Sequence, residues 1–162
     1  FKLYLSGFDR SVPAIQTPAL SNRLAKAIKK CLSNHPKLAW LELLGIHFTI
    51  EALSYLAQAL ISCPTLLGFS LKDCKIRDEG FYVLYDALIA SPSIEQLQLS
   101  GCALTDRSAI VVRKLIQHHC SRRVGLDWQQ TLSRSGPLED KTGGTVQGLV
   151  SLDLSHNMVG DA

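Results

Sequence analysis

Two stretches decide how this chain folds: Leu66-Leu67-Gly68-Phe69-Ser70-Leu71-Lys72-Asp73-Cys74-Lys75-Ile76 and, 28 residues on, Ile94-Glu95-Gln96-Leu97-Gln98-Leu99-Ser100-Gly101-Cys102-Ala103-Leu104. Laid over each other, they share apolar residues at the first, fourth, sixth and eleventh positions and cysteine at the ninth. The pattern is L-x-x-L-x-L-x-x-N/C-x-L. A third copy lies 28 residues earlier, in Leu38, Leu41, Leu43, Ile46 and Phe48, and a late one in Leu149, Leu152, Leu154, Asn157 and Val159. Phe1 to Phe8 holds a degenerate copy in which Leu3 and Leu5 take the two central apolar positions. One such motif arises easily by chance; two identical steps with five matched positions do not.

Helical segments separate the motifs. Thr17-Pro18 supplies an N-cap and a proline at the first helical position, ahead of an apolar face of Leu20, Leu24, Ala27, Ile28 and Cys31. Thr49 caps a second helix with Leu53, Leu56, Ala57 and Leu60 inward, and Asp78 is expected to cap a third with Phe81, Leu84 and Leu88 inward. Cys63-Pro64 and Ser91-Pro92 stop helices two and three. Neither a short strand nor its helix buries its apolar side alone, but stacked units bury both. The expected fold is therefore α/β: a leucine-rich-repeat solenoid with parallel strands on the concave face and helices on the convex face. The 28-residue unit resembles the ribonuclease-inhibitor class of repeat.

From Ile94 to Leu149 the step is 55 residues, which predicts a hidden degenerate unit. Val124 and Leu126 sit at the offset of its central apolar pair, although Ser121, Gln129 and Thr131 occupy its other motif positions. Residues from Ser133 to Gly144 read as a loop. The expectation is one repeat domain over 1–162, with a degenerate repeat and a loop in place of its helix at about 121–148. Beginning at Phe1 and stopping inside a motif at Gly160-Asp161-Ala162, the chain reads as a fragment of a longer protein.

Composition agrees with a folded domain, at 46% hydrophobic and 19% charged residues. A net charge of +3 calls for neither nucleic acid nor an anionic membrane as partner, and no apolar run is long enough to span a bilayer. Five widely spaced cysteines without C-x-x-C fit a reduced, intracellular protein. No P-loop, G-x-S-x-G, H-E-x-x-H or dinucleotide fingerprint occurs, so an enzyme is the weak reading and no cofactor is expected. His47, Asp73 and Cys74 come nearest to a catalytic set, but Cys74 holds an inward position where a thiol is inert. His118-His119-Cys120 lacks a second ligand pair for a metal.

Binding residues are expected on the strands. Side chains flanking the central leucines must point out of the concave sheet, in columns Lys2, Trp40, Gly68, Gln96, Arg123, Ser151, then Tyr4, Glu42, Ser70, Gln98, Gly125, Asp153, then Ser6, Leu44, Lys72, Ser100, Asp127, Ser155. Tyr4, Trp40, Glu42 and Leu44, with Lys72 and Gln98 further along, are the candidate protein-binding set, since exposed Trp and Tyr anchor interfaces. On this reading Trp40→Ala weakens binding and leaves the fold nearly untouched. The alternative is that a preceding part of the intact protein caps that end. Arg113, Lys114, Arg122 and Arg123 form a basic stretch running from a helix into the degenerate strand, either a contact for an acidic segment or a solvated face. Trp128 is either an anchor or packing beside that strand.

With the repeat phase fixed, the connecting segments carry a likeness. Val12-Pro13-Ala14-Ile15, Leu71 to Gly80, Gly101-Cys102-Ala103-Leu104-Thr105, the interrupted unit with Trp128 and Leu132, and the restored repeat at Leu149 to Asp161 resemble the N-terminal repeat domain of the centrosomal protein seventy-eight family. One departure is that the stretch after Leu132, basic in that family, here holds only Arg134 and Lys141. The resemblance implies a non-catalytic scaffold of the centrosome, centriole and ciliary basal body, acting in ciliogenesis and in control of centrosomal protein levels. Implied partners are centriolar proteins, among them a polo-like kinase and a ubiquitin ligase assembly. Without the resemblance, the residues fit a generic recognition module of the innate-immune-sensor or small-GTPase-regulator type.

Overall fold

Alternation along a strand puts Leu41 and Leu43 on one side of the chain and Trp40, Glu42 and Leu44 on the other. In the computed structural model, which describes residues 1–7, 17–35, 37–133 and 148–160 (side chains of the last helix as far as 122), that alternation repeats across a sheet. The strands are β1 (Lys2–Ser6), β2 (Trp40–Leu44), β3 (Gly68–Ser70), β4 (Gln96–Gln98) and β5 (Ser151–Asp153). They lie in chain order, each parallel to the next. Leu41, Leu43, Phe69, Leu71, Leu97 and Leu99 are buried beneath the sheet. Against them pack helices α1 (Pro18–Asn34), α2 (Ile50–Ile61), α3 (Arg77–Ala90) and α4 (Ala109–Ser133), the last entered through a 3-10 turn at Asp106–Ser108. The α/β repeat solenoid expected from the motif is what forms.

The ninth motif position explains how the strands leave the sheet. Cys74 Sγ donates to the carbonyl of Leu43 at 3.3 Å, Cys102 Sγ to that of Leu71 at 3.0 Å, and Asn157 Nδ2 to that of Leu99 at 2.7 Å. These three ladder residues thus satisfy the same backbone oxygen, that of the second central leucine, in the unit before; Ile46, at the same position of its own unit, is apolar and packs in the core instead. An unpaired carbonyl there would cost about 1–3 kcal/mol. Burial pushes the thiols of Cys74 and Cys102 up to about 12, and both are unpaired, as expected from their positions.

Helix starts are tied across units as well. Thr17 and Thr49 cap their own helices, accepting from Leu20 and Ala52 N–H groups. The Thr49 backbone N–H also donates to Ser21 Oγ in the preceding helix at 3.2 Å. Asp78 does not cap α3, whose N-cap position is Ile76 without a side-chain bond. Its buried carboxylate instead accepts from the backbone N–H and hydroxyl of Thr105, at 2.9 and 2.7 Å, and from the Ser108 hydroxyl, capping the following unit. Burial alone would raise its pKa, but the bonds from Ser108 and Thr105, with Arg107 nearby, hold it below the usual carboxylate value.

Three expectations are corrected. Val124 and Leu126 are helical: α4 runs through the supposed degenerate strand, and β4 pairs directly with β5. The ladder residue and flanking leucines that would have held a strand there are absent, whereas Leu149, Leu152, Leu154 and Asn157 supply the full set one step later. Arg123, Gly125 and Asp127 accordingly leave the concave columns. The inward face of α1 is Ser21, Ala25, Ile28 and Leu32, so Ala27 is exposed and Cys31 only half-buried. In α2, Ala57 is half-buried while Ala52 and Ala59 join Leu53, Leu56 and Leu60 inside. The segment Val12 to Ile15 and the loop at 134–147 lie outside the described residues, as does the Trp128 side chain.

Candidate protein-binding face

Strand register sets the geometry of the concave face. Lys2 pairs with Trp40, Trp40 with Gly68, Gly68 with Gln96 and Gln96 with Ser151. One pleat along, Tyr4, Glu42, Ser70, Gln98 and Asp153 form the neighbouring row. Both rows match the expected columns once the residues of α4 are removed.

Trp40 is the organising side chain. Its indole lies flat over Gly68, so close that a Cβ on Gly68 would sit 1.9 Å from Cε3 and 2.1 Å from Cζ3. Only glycine admits the ring there. The indole Nε1 donates to Glu42 Oε2 at 3.3 Å, and Lys2 Nζ stands 5.8 Å from the ring centroid. Trp40 is half-buried rather than open. Trp40→Ala therefore removes packing as well as an anchor, so a loss of stability is expected alongside any loss of binding.

Around it the candidate residues differ in access. Tyr4 is 58% exposed on the end strand; Glu42, Leu44, Lys72 and Gln98 are half-buried. Leu44 pairs across from Ser6, extending the patch away from the indole. Ser70 was not in the candidate set, yet its hydroxyl is buried on this side without a hydrogen-bond partner, as is Gln98 Oε1. Asp153, a member of the second expected column, accepts from the Ser155 side chain and from its backbone N–H at 2.9 Å. Those bonds, with Lys72 nearby, hold its pKa below the usual value.

Within the basic stretch, Arg113 and Arg122 do not share a face. Arg113, Lys114 and Arg122 all belong to α4, with Arg113 and Lys114 exposed and Arg122 half-buried. Nine residues of helix, at about 100° each, place Arg113 and Arg122 on opposite sides; the Arg123 side chain is outside the described residues. His118 and His119 also diverge. His119 is buried, accepting from the Leu149 N–H through Nδ1 at 3.3 Å and pairing with the Leu88 backbone, so it ties α4 to the approach to β5. Burial and the neighbouring His118 lower its pKa.

Comparisons with known proteins agree with this architecture. A family model described as Leucine Rich repeat matches residues 90–112. The human protein named Centrosomal protein of 78 kDa is 31% identical over 159 residues, 97% of this chain and 22% of its own length. Its mouse counterpart is 29% identical over 151 residues, 93% of this chain and 19% of its own. The chain thus spans about one fifth of the length of these curated relatives. Similar to these relatives over nearly all of its length, and carrying the repeat that the family model describes, the chain belongs to the family of the centrosomal protein of 78 kDa.

Proposed function

We propose that this chain is the protein-binding part of a non-catalytic centrosomal scaffold, acting at the centriole and ciliary basal body in ciliogenesis and in control of centrosomal protein levels. The observation that carries the binding role is the concave end of the sheet. There an indole is laid over glycine, hydrogen-bonded to a carboxylate and flanked by an exposed tyrosine. Rigid aromatic side chains on a regular sheet lose little freedom on binding, which is why Trp and Tyr concentrate binding energy. The centrosomal address is supported by what the curated relatives are named. Centriolar proteins, a polo-like kinase and a ubiquitin ligase assembly are the partner classes that the family likeness suggests.

Proximity labelling with the full-length protein in cells tests the proposal. Centriolar neighbours are expected for the unaltered protein, and their loss with Tyr4→Ala, which removes an exposed ring and leaves the core alone. Immune-receptor or GTPase-pathway neighbours would replace this reading with that of a generic recognition module. Unchanged labelling with Tyr4→Ala would remove the concave end from it.

A further inference from the structure

The row Glu42, Ser70, Gln98, Asp153 crosses four adjacent strands on the concave side, and each member carries a side-chain oxygen. Two are carboxylates. The other two, the Ser70 hydroxyl and Gln98 Oε1, are shut in without a hydrogen-bond partner. A buried polar atom without a partner is costly, and such groups in a folded protein call for an explanation. No cationic residue lies in this row. Lys2 and Lys72 belong to the rows on either side, and Lys2 already stands with its ammonium 5.8 Å from the centroid of the Trp40 ring. The face thus has acceptors in excess along its centre and an aromatic surface that holds a cation at one end.

We infer that the concave face takes an extended, basic segment of a partner protein, laid across the strands with two cationic side chains directed at Glu42 and Asp153. This rests on the concave face being the binding surface. A guanidinium at the Glu42 end stacks on the indole in place of Lys2, which swings away on its flexible stem, and forks onto the carboxylate. Three strand spacings of about 4.8 Å separate Glu42 from Asp153, about 14 Å, which an extended chain covers in roughly four residues. The cationic side chains therefore recur about four residues apart. Between them the Gln98 amide turns outward, opening its oxygen and the Ser70 hydroxyl to donors of the segment. An acidic segment is disfavoured, because it would set carboxylates against Glu42 and Asp153 while leaving the Gln98 oxygen without a donor.

Random peptides displayed on phage and selected on the whole chain test the inference. The expected result is enrichment of Arg or Lys at positions about four apart. Affinity should fall about tenfold or more with Glu42→Gln or with Asp153→Asn, changes that keep shape and remove charge, while thermal unfolding stays a single cooperative transition that shows the fold is kept. Acidic or purely apolar winners overturn the inference. So do basic winners indifferent to both substitutions, and so does failure to enrich anything. Cellular capture read with Tyr4→Ala separates the two levels: if capture depends on Tyr4 while no basic peptide is selected, the face stands and its assigned chemistry falls. If capture ignores Tyr4 as well, both fall.

Discussion

The contact between Trp40 and Gly68 makes a sharp energetic prediction for Gly68→Ala. Gly68 is outside the left-handed region, so alanine fits its backbone. The new methyl carbon would lie 1.9 Å from the ring, where carbon atoms rest at about 3.5–4.0 Å. The indole must therefore retreat by about 1.5–2 Å, and the sheet beneath leaves it only the open side. Lifting it exposes roughly 100 Å² of ring and sheet, worth about 2.5 kcal/mol as an upper value. Against this, alanine lowers the freedom of the unfolded chain by about 0.4–1 kcal/mol. The net expectation is a loss of about 1–2 kcal/mol, which for a chain of 162 residues lowers the melting temperature by about 3–6 °C. The decisive assay is a double-mutant cycle by denaturant unfolding. In a Trp40→Ala background the methyl group meets no ring, so Gly68→Ala should be neutral or stabilising, giving a coupling of about 2 kcal/mol. Equal destabilisation in both backgrounds would refute the reasoning, because the cost would then lie in the strand rather than in the indole.

Two further outcomes follow from buried groups. Under native conditions a thiol reagent should label the exposed Cys120 quickly and Cys74 and Cys102 only on unfolding, since burial carries both of the latter to about 12; fast labelling of either would break the ladder assignment. Because burial lowers the pKa of His119, the unfolded chain binds a proton more readily than the native one. Stability should therefore be intact above about pH 6.5 and decline as pH falls below it, by up to about 1.4 kcal/mol per pH unit. His119→Gln, with His118 and Arg122 still in place, should flatten that slope, and an unchanged slope would assign it to another group.

What was legible in the sequence was whatever repeats. Leu41, Leu43, Phe69, Leu71, Leu97 and Leu99 declare themselves through spacing, because each unit solves the same burial problem as its neighbour. The outward columns followed from them, which is why Tyr4, Trp40 and Glu42 could be set on one face before any coordinates. Interactions that join one unit to the next were not legible, since their spacing depends on three-dimensional stacking. Asp78 stands where a helix cap should, at the start of α3, and only the position of Thr105 and Ser108 in the next unit shows which helix it caps. Gly68 is an empty place in a column by sequence, and only the fold lays the Trp40 indole over it.

The error at Val124 and Leu126 has a related cause. Two apolar residues in alternation suit a strand, but from β3 onward the strand units of this sheet also carry a ladder residue that gives the preceding unit's carbonyl a hydrogen bond. At the oxygen of Leu99 that donor is Asn157, and the same side chain accepts from the Leu104 N–H through Oδ1 at 3.1 Å. Stretching the interval to 55 residues costs little by comparison, because closure entropy grows only with the logarithm of loop length. The segment that enters the sheet is the one that combines the ladder asparagine with the full set of leucines, and α4 runs on through the nearer candidate, which has Ser121 and Thr131 at two of the apolar motif positions.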